Sequence, residues 1–260
     1  MKWIKYLGIV LFSLYALVCG VLYFSQERLI FHPDKLDEDY VFSEGEEVEL
    51  PVGDGISLNC LWMKEPGSKG AILYLHGNRG SNRRCYHQAQ TMAGGGYDIF
   101  MPDYRGFGKS DGEIVSEEQL FGDVQAAYDF LKKHYAENRI VVVGYSIGSG
   151  MASYLAANNQ PQQLVLLAPY TSVVDLKNGM APFLPDFLLK YPLRSQAFLQ
   201  QVKFPVTLFH GEFDEVIPFS SSEKLQAINP GLFKLVSLPE GHRGVIFSPI
   251  FQETVREMLK

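Results

Sequence analysis

A short β-branched run that ends in a serine flanked by glycines constrains this chain more than any other segment. Three valines, residues 141–143, lead into the pentapeptide Gly-Tyr-Ser-Ile-Gly at residues 144–148, and a helical pattern follows. In a G-x-S-x-G sequence, the small residues on either side of the serine permit a sharp turn from strand to helix. Such a turn exposes the hydroxyl of Ser146 at the carboxyl edge of a sheet and directs backbone N–H groups at the same point. This arrangement suits a nucleophile.

The composition of the chain is that of a globular protein and narrows its partners. Of the 260 residues, 47% are apolar and 20% are charged. The net charge of −6 at pH 7 argues against a nucleic-acid partner, because such a partner requires a basic surface. Cys19, Cys60 and Cys85 match no metal-binding spacing. We interpret the last two as unlinked core residues, although they could pair if the fold makes them neighbours. We expect neither a metal ion nor an organic cofactor.

The N-terminus carries a long apolar run. Residues 6–26 contain no charged side chain and are rich in Leu, Ile, Val, Phe and Tyr. At about 1.5 Å per helical residue, the run is long enough to cross a hydrocarbon core of about 30 Å. A cleaved signal peptide is the competing interpretation, but its apolar region is usually shorter and no A-x-A-like site follows here. We therefore predict a single-pass transmembrane anchor over residues 1–27 and a hydrolase domain over residues 28–260.

Charges at the two ends of this run bear on the side of the membrane. Lys2 and Lys5 precede the run and favour an amino terminus inside the cell. Arg28 and Lys35 follow the run and almost balance this signal. We expect the catalytic domain to lie outside the cytoplasm, on the periplasmic side in a bacterium.

Strand-like and helix-like segments alternate beyond the anchor. The apolar runs that resemble buried strands cover residues 71–75, 97–102, 140–143, 164–167, 206–209 and 233–238. Their alternation with helical patterns predicts a mostly parallel central sheet with helices on both faces. Strand-like residues 48–50 and 56–62 flank Gly53, Asp54 and Gly55, a hairpin signal that predicts an antiparallel edge. Ligands of such sheets bind at the carboxyl ends of the strands, where Ser146 is placed.

Two further residues at strand ends complete a set of groups for nucleophilic catalysis. A serine nucleophile needs a base within hydrogen-bond reach and a carboxylate that orients the base. Asp214 follows the strand at 206–209, and His242 follows the strand at 233–238. The order Ser, Asp, His along the chain is that of the α/β-hydrolase triad. We predict Ser146 as the nucleophile, Asp214 as the acid and His242 as the base.

Other residues near these positions leave alternatives open. Glu212 and Glu215 are rival carboxylates beside Asp214. His210 also lies at a strand end, and we interpret it as packing beneath the loop that carries the acid.

Acyl transfer also requires two N–H donors for the oxyanion that develops in the transition state. One donor is predicted to be the amide of Ile147, directly after the nucleophile. The second should come from the loop that follows the strand at 71–75, where we choose the amide of Asn78 over that of Arg79. His76 in the same loop is expected to brace the loop and not to react.

Several motifs together resemble one family of proteins, the membrane-anchored α/β-hydrolases. The motifs are His76-Gly77-Asn78 with Gly80 and the segments 26–33, 103–110, 144–148 and 211–218. The family includes bacterial single-span hydrolases and the mammalian hydrolases that remove palmitate from proteins. The resemblance extends from the anchor to the last helix, and it implies an α/β-hydrolase fold with Ser146, Asp214 and His242 as the triad. It also implies that the segment 103–110, with Asp103, has a structural role.

The segment 170–204 stands where such hydrolases insert a cap, which is short in this chain. Met180, Phe183 and Phe187 lie close together in it and are predicted to form an apolar wall that binds an acyl chain. The alternative is a small helix that packs on the core.

These patterns lead to one functional hypothesis and two alternatives. The hypothesis is a membrane-anchored serine hydrolase that cleaves carboxylic esters or thioesters of a small-molecule or acylated substrate through an acyl-enzyme. A peptidase of the prolyl-aminopeptidase-like type is the first alternative, although its chemistry needs acidic groups that hold an ammonium ion, and the cap offers few beyond Asp175 and Asp186. The second alternative is a non-catalytic binding module, because a fold alone does not determine function.

Overall fold

The computed structural model describes residues 2–53 and 55–260, so Met1 of the predicted anchor and Asp54 of the predicted hairpin turn lie outside the described residues. The strands are β1 (His32–Pro33), β2 (Glu46–Gly53), β3 (Ile56–Met63), β4 (Gly70–Leu75), β5 (Arg79–Gly80), β6 (Tyr97–Pro102), β7 (Ile140–Tyr145), β8 (Gln163–Leu167), β9 (Val206–Gly211) and β10 (Phe233–Leu238). The α-helices are α1 (Lys2–Ile30), α2 (Asn82–Gln90), α3 (Glu117–Lys132), α4 (Gly148–Asn158), α5 (Val173–Met180), α6 (Ser195–Leu199), α7 (Ser220–Gln226) and α8 (Pro249–Met258).

Eight of these strands form one sheet in the order β10-β9-β8-β7-β4-β6-β3-β2. The six strands from β10 to β6 are parallel to one another. Strand β3 pairs antiparallel with β6, and β2 pairs antiparallel with β3. The predicted parallel sheet with an antiparallel edge is therefore confirmed. Strands β1 and β5 form a separate short parallel ladder.

Helices cover both faces of the sheet, as the alternation of elements predicts. Helices α3, α4, α6 and α7 contribute buried side chains to the core on one face. Helices α2 and α8 pack on the other face. Strands β4, β6 and β7 are buried along their whole length, because both of their faces are covered. Cys60 belongs to the first core and Cys85 to the second, and both thiols are free, so the interpretation as unlinked core residues is confirmed.

A capping interaction fixes the start of α3. The Ser116 hydroxyl oxygen accepts a hydrogen bond from the Gln119 backbone N–H at 3.1 Å. The Gln119 side chain accepts one from the Val115 backbone N–H at 3.0 Å, one residue before the position that a capping box uses. The first bond satisfies a backbone donor that the first turn of a helix otherwise leaves without a partner. The second bond connects the residue before the N-cap to the same turn.

Helix α1 ends at Ile30, three residues beyond the predicted end of the anchor, and its last turns contact the domain. The Gln26 amide donates to the Leu188 carbonyl oxygen at 2.7 Å and accepts from the Lys190 backbone N–H at 2.9 Å. The Glu27 carboxylate accepts from Lys190 Nζ at 3.0 Å and from the Tyr191 hydroxyl at 2.8 Å. Most of α1 is otherwise exposed, and the helix is long and apolar enough to cross a membrane.

The predicted cap region, residues 170–204, is a short insertion that lies along α1. It contains α5, a single 3₁₀ turn at Asp186–Leu188 and α6. The Tyr15 hydroxyl, in the middle of α1, donates to the Phe183 carbonyl oxygen at 2.7 Å. The cap therefore contacts α1 at two levels, near Tyr15 and near Gln26.

A buried ion pair ties the loop after β6 to α3. Arg105 donates to both carboxylate oxygens of Asp123 at 2.8 and 2.9 Å, and both side chains are almost fully buried. Burial raises the pKa of Asp123, and the guanidinium of Arg105 opposes that rise. Such a pair is costly to break from one side, because the remaining charge is then buried without its partner.

We predict that Arg105→Met lowers the free energy of unfolding by about 3–5 kcal/mol, the usual cost of removing one member of a buried ion pair. The double variant Arg105→Met with Asp123→Leu should recover most of this loss, since no buried charge remains. Urea unfolding of the detergent-solubilised chain, followed by tryptophan fluorescence, measures both values. Lys132→Ala is the control, because the ion pair of Lys132 with Asp129 is partly exposed and its N···O distance is 3.7 Å. A loss in Arg105→Met no larger than in this control would contradict the prediction.

Candidate active site

Ser146 occupies the sharp turn that the sequence predicts between β7 and α4. Its backbone has φ of +52°, a left-handed conformation that is unfavourable for a residue with a Cβ atom. The Ser146 N–H donates to the Leu167 carbonyl oxygen at 2.9 Å. A Cβ atom on Gly148 would lie 2.2 Å from the Leu75 carbonyl oxygen, and one on Gly144 would lie 2.6 Å from the Gly148 carbonyl oxygen. Only glycine allows the three backbone segments to approach this closely.

The structure brings Ser146, His242 and Asp214 together in one chain of hydrogen bonds. His242 Nε2 lies 3.0 Å from Ser146 Oγ, and His242 Nδ1 lies 2.7 Å from Asp214 Oδ2. The three residues follow β7, β10 and β9, so the carboxyl ends of three parallel strands supply them. The Tyr145 hydroxyl donates to the His242 carbonyl oxygen at 3.1 Å and holds the loop that carries the imidazole.

Asp214 is held as a carboxylate. Its Oδ1 accepts hydrogen bonds from the backbone N–H groups of Val216 and Ile217, both at 2.8 Å. Burial by itself would raise the pKa of Asp214, but the hydrogen bonds from His210, His242 and Ile217 outweigh it. They hold the pKa well below its usual range. Asp214 therefore carries its negative charge at neutral pH and can orient the imidazole of His242.

The neighbouring residues occupy other positions. The Glu215 carboxylate accepts a hydrogen bond from the His242 backbone N–H at 3.2 Å and does not bond to the imidazole. The fully buried His210 ring lies beneath the acid loop, as interpreted from the sequence. Its Nδ1 is 2.7 Å from Ser222 Oγ, and its Nε2 is 3.0 Å from the Ile217 carbonyl oxygen.

Ile147 and Asn78, whose amides are the predicted oxyanion donors, both line the same cavity as Ser146. Within the described residues, neither the N–H of Ile147 nor that of Asn78 donates a hydrogen bond. The Asn78 loop is held from outside by α1 and β1. The Asn78 side chain donates to the Ile30 carbonyl oxygen at 2.6 Å, and the His32 N–H donates to the Asn78 carbonyl oxygen at 2.8 Å.

His76 and Asp103 support this loop from the core. Both side chains are fully buried, and His76 Nε2 lies 3.3 Å from Asp103 Oδ1. The Tyr104 hydroxyl donates to the His76 carbonyl oxygen at 2.7 Å. Burial raises the pKa of Asp103, and the contact with His76 opposes that rise. Neither side chain lines the cavity at Ser146, which fits the bracing role expected of His76 and the structural role implied for Asp103.

The cavity above Ser146 has a volume of about 720 Å³ and is mostly apolar. Met180 lines it, as predicted, together with Leu176 of α5 and Leu29 of α1. Phe183 and Phe187 do not, because the segment that carries them turns outward along α1. Their side chains are 67% and 82% exposed.

Sequence patterns did not single out several residues of the cavity wall. Arg84 of α2 and Arg243 line it, as does Arg79, whose amide is the alternative oxyanion donor. Their positions in the sequence indicate that they lie near the site. Arg243 directly follows the predicted base, and Arg84 belongs to the helix that begins after the Asn78 loop. No periodicity marks them, so only this adjacency could have identified them.

The fold and the geometry of the site define the class of the protein. An eight-stranded, mostly parallel sheet with helices on both faces carries a serine on a strand-to-helix turn, followed by an aspartate and a histidine in two later strand-end loops. This is the architecture of an α/β-hydrolase.

Comparison with known proteins gives the family. Residues 66–197, half of the chain, match the Hydrolase_4 family, which is described as serine aminopeptidase, S33. The chain belongs to this family. Protein YfhR of Escherichia coli O157:H7 is 30% identical over 229 residues, which cover 82% of this chain and 78% of that protein. Protein bem46 of Schizosaccharomyces pombe is 29% identical over 245 residues, which cover 83% of this chain and 78% of that protein.

A solved structure shares the fold over nearly its whole length. The esterase Pf2001 of Pyrococcus furiosus superposes with a TM-score of 0.70 at 21% sequence identity. The match covers 88% of this chain and 98% of the esterase. At this level of identity the likeness bears on the fold alone.

The left-handed backbone of Ser146 generates a prediction about stability. Ser146→Gly should be more stable to unfolding than Ser146→Ala by about 1 kcal/mol, because glycine adopts positive φ without the strain that a Cβ atom causes. Both variants lack the hydroxyl, so the comparison isolates the backbone. Thermal unfolding of the two detergent-solubilised variants, measured by circular dichroism, gives the difference. Equal midpoints would mean that the turn stores no strain at this residue.

Proposed function

We propose that the protein is a membrane-anchored serine hydrolase that cleaves carboxylic esters or thioesters through an acyl-enzyme. The observation that carries the proposal is the hydrogen-bond chain from Ser146 Oγ through His242 to Asp214, with distances of 3.0 and 2.7 Å. These distances lie within the reach that a general base needs. The carboxylate of Asp214 remains ionised and favours the imidazole tautomer that accepts a proton at Nε2.

The proposed reaction has two halves. In the first, Ser146 Oγ attacks the acyl carbon while its proton moves to His242 Nε2. The tetrahedral intermediate places its oxyanion at the N–H groups of Ile147 and Asn78. His242 then gives the proton to the leaving oxygen or sulfur, and the bond from the acyl carbon to that atom breaks. In the second half, water attacks the acyl carbon while one of its protons moves to His242 Nε2. The bond from the acyl carbon to Ser146 Oγ then breaks, His242 returns the proton to Oγ, and the acid is released.

The cavity favours an acyl substrate over a peptide with a free amino terminus. A peptidase is a second candidate, because the description of the family names an aminopeptidase. An aminopeptidase needs a carboxylate that binds the substrate's ammonium group. No aspartate or glutamate lines the cavity within the described part of the chain. The apolar wall formed by Val173, Leu176 and Met180 instead suits the hydrocarbon of an acyl group.

We predict that Ser146→Ala and His242→Ala each lower kcat for a soluble acyl ester by about 10⁴-fold or more, as loss of a triad member does in other serine hydrolases. A fluorophosphonate probe should label the wild-type protein and leave Ser146→Ala unlabelled. His134→Ala is the matched control, because this exposed histidine lies near the amino end of β7, at the opposite edge of the sheet. Near-normal turnover by His242→Ala would assign the base to another histidine.

We also propose that α1 is a retained anchor that holds the domain outside the cytoplasm. Two observations support the anchor. The first is the exposed apolar surface of α1 itself, from Lys2 to its last turns. The second is that Met180, Phe183 and Phe187 expose large apolar groups on the cap that lies along α1. Exposed apolar groups in one contiguous region are typical of a surface that contacts a membrane. The division at residues 1–27 and 28–260 belongs to this proposal.

Paired truncations test the anchor and its contact with the site. A chain that begins at Leu29 should leave the membrane fraction and still hydrolyse a soluble ester, because Ile30 and His32 still hold the Asn78 loop. A chain that begins at Lys35 should lose most of this activity, since it lacks the pairing of β1 with β5. Carbonate extraction and the kcat of the purified proteins give the two results. A full-length chain that carbonate extracts would contradict the anchor, and equal activity of the truncated chains would contradict the role of β1.

A further inference from the structure

Three arginines line the cavity above Ser146, and they come from three different segments. Arg79 directly follows Asn78 in β5, Arg84 lies in α2, and Arg243 directly follows His242. No aspartate or glutamate lines the same cavity among the described residues. The cavity therefore has a positive rim in a chain whose net charge is −6.

Among the described residues, no carboxylate neutralises these three arginines. All three side chains are exposed, and none forms an ion pair with a carboxylate in the part of the chain that the structure describes. Their neighbour Arg83 differs, because it contacts Asp34 with an N···O distance of 2.6 Å and does not line the cavity. Arg84 and Arg243 both lie close enough to Tyr145 for their charges to oppose the rise in its pKa that burial causes. Their positive charges therefore act at the residue next to Ser146.

Unpaired positive charges around one cavity repel each other, and an anion that enters relieves this repulsion. The planar guanidinium group donates hydrogen bonds in a fork that matches the oxygens of a phosphate. Arginines from three segments can contact such a group from more than one side. The positive rim thus selects against a substrate ammonium group and in favour of an anion.

The chemistry of the site decides which part of the substrate carries that anion. His242 must protonate the leaving group in the proposed reaction, so the leaving group lies beside His242 and hence near Arg243. The apolar residues Leu176 and Met180 of α5 line the same cavity and can contact the hydrocarbon of the acyl group. The cavity thus offers apolar side chains for the acyl chain and guanidinium groups for a charged leaving group.

We propose that the substrate is an acyl ester or thioester whose leaving group carries a phosphate, and that Arg79, Arg84 and Arg243 bind this phosphate. The inference rests on the proposed function and narrows its substrate class. The phosphate can belong to a glycerol phosphate, as in a lysophospholipid, or to a soluble phosphopantetheine thioester. Both sources share the chemistry that the rim recognises.

Matched substrates test the proposal on the full-length protein in a neutral detergent. One pair is 1-acylglycerol and 1-acylglycerol 3-phosphate with the same acyl chain, and the other is the acyl thioester of pantetheine and that of phosphopantetheine. We expect kcat/KM to be about tenfold or more higher for the phosphorylated member of at least one pair, mainly because its KM is lower. A factor of this size is what hydrogen bonds to a charged group usually contribute. The pair that shows the preference identifies the source of the phosphate. Added salt should reduce the preference, because the arginines are exposed.

Variants assign the preference to the rim. Arg84→Gln with Arg243→Gln should bring the ratio of kcat/KM within each pair close to one. Arg83→Gln should keep the wild-type ratio, because Arg83 is adjacent in sequence but lies outside the cavity wall. A wild-type ratio near one in both pairs would overturn the proposal, and so would a preference that survives the double substitution. If kcat/KM instead rises with added anionic lipid and does not depend on the charge of the substrate, the arginines bind the membrane surface. That result would also overturn the phosphate proposal.

Fluorophosphonate labelling of the same preparations separates this inference from the proposed function. If Ser146 is labelled and the ratios are near one, the phosphate proposal alone fails. If the wild-type protein is not labelled at Ser146, the serine hydrolase proposal fails first.

Discussion

The close approach of three backbone segments at the turn after β7 is the constraint on which the site depends. Gly148 lies against the Leu75 carbonyl oxygen, and the Ser146 N–H donates to Leu167, so β4, β7 and β8 together fix the turn. A left-handed non-glycine residue costs about 1–2 kcal/mol, and the surrounding sheet supplies the packing that holds it. Since these strands are parallel, their neighbours β9 and β10 end at the same edge. The loops that carry Asp214 and His242 therefore reach Ser146 without a long connection.

The placement of Ser146, Asp214 and His242 at one edge of the sheet could be predicted from the sequence. Buried parallel strands read as continuous apolar runs, and the residues just beyond their carboxyl ends must lie along one edge. Ser146, Asp214 and His242 could be placed together from this rule and from their order in the chain. The same rule predicts that Ile147 and Asn78 lie beside Ser146, and both residues line its cavity. Both belong to strand-end loops whose glycines mark the turns.

The cap and the cavity rim were less predictable, because their side-chain directions depend on tertiary contacts. Phe183 and Phe187 are apolar, as residues of a pocket wall usually are. Hydrogen bonds from Tyr15 and Gln26 to the backbone of the cap nevertheless direct this segment along α1. No sequence period encodes such bonds, since they involve carbonyl oxygens that every residue has. Arg84 was missed for a related reason. A charged residue on a helix is most often solvated, and only the position of α2 beside the Asn78 loop brings it to the cavity.

The last turns of α1 link the proposed anchor to the geometry of the site. Gln26 contacts the cap backbone, and the Ile30 carbonyl oxygen accepts a hydrogen bond from the Asn78 side chain. One helix thus contacts both the cap, which lines part of the cavity, and the loop that carries Asn78, whose amide is proposed as an oxyanion donor. A change in the tilt of α1 relative to the domain would move both together, because a helix transmits displacement along its axis as a rigid element. The position of the Asn78 loop relative to Ser146 therefore depends on contacts that the last residue of α1 and the first residue of β1 supply.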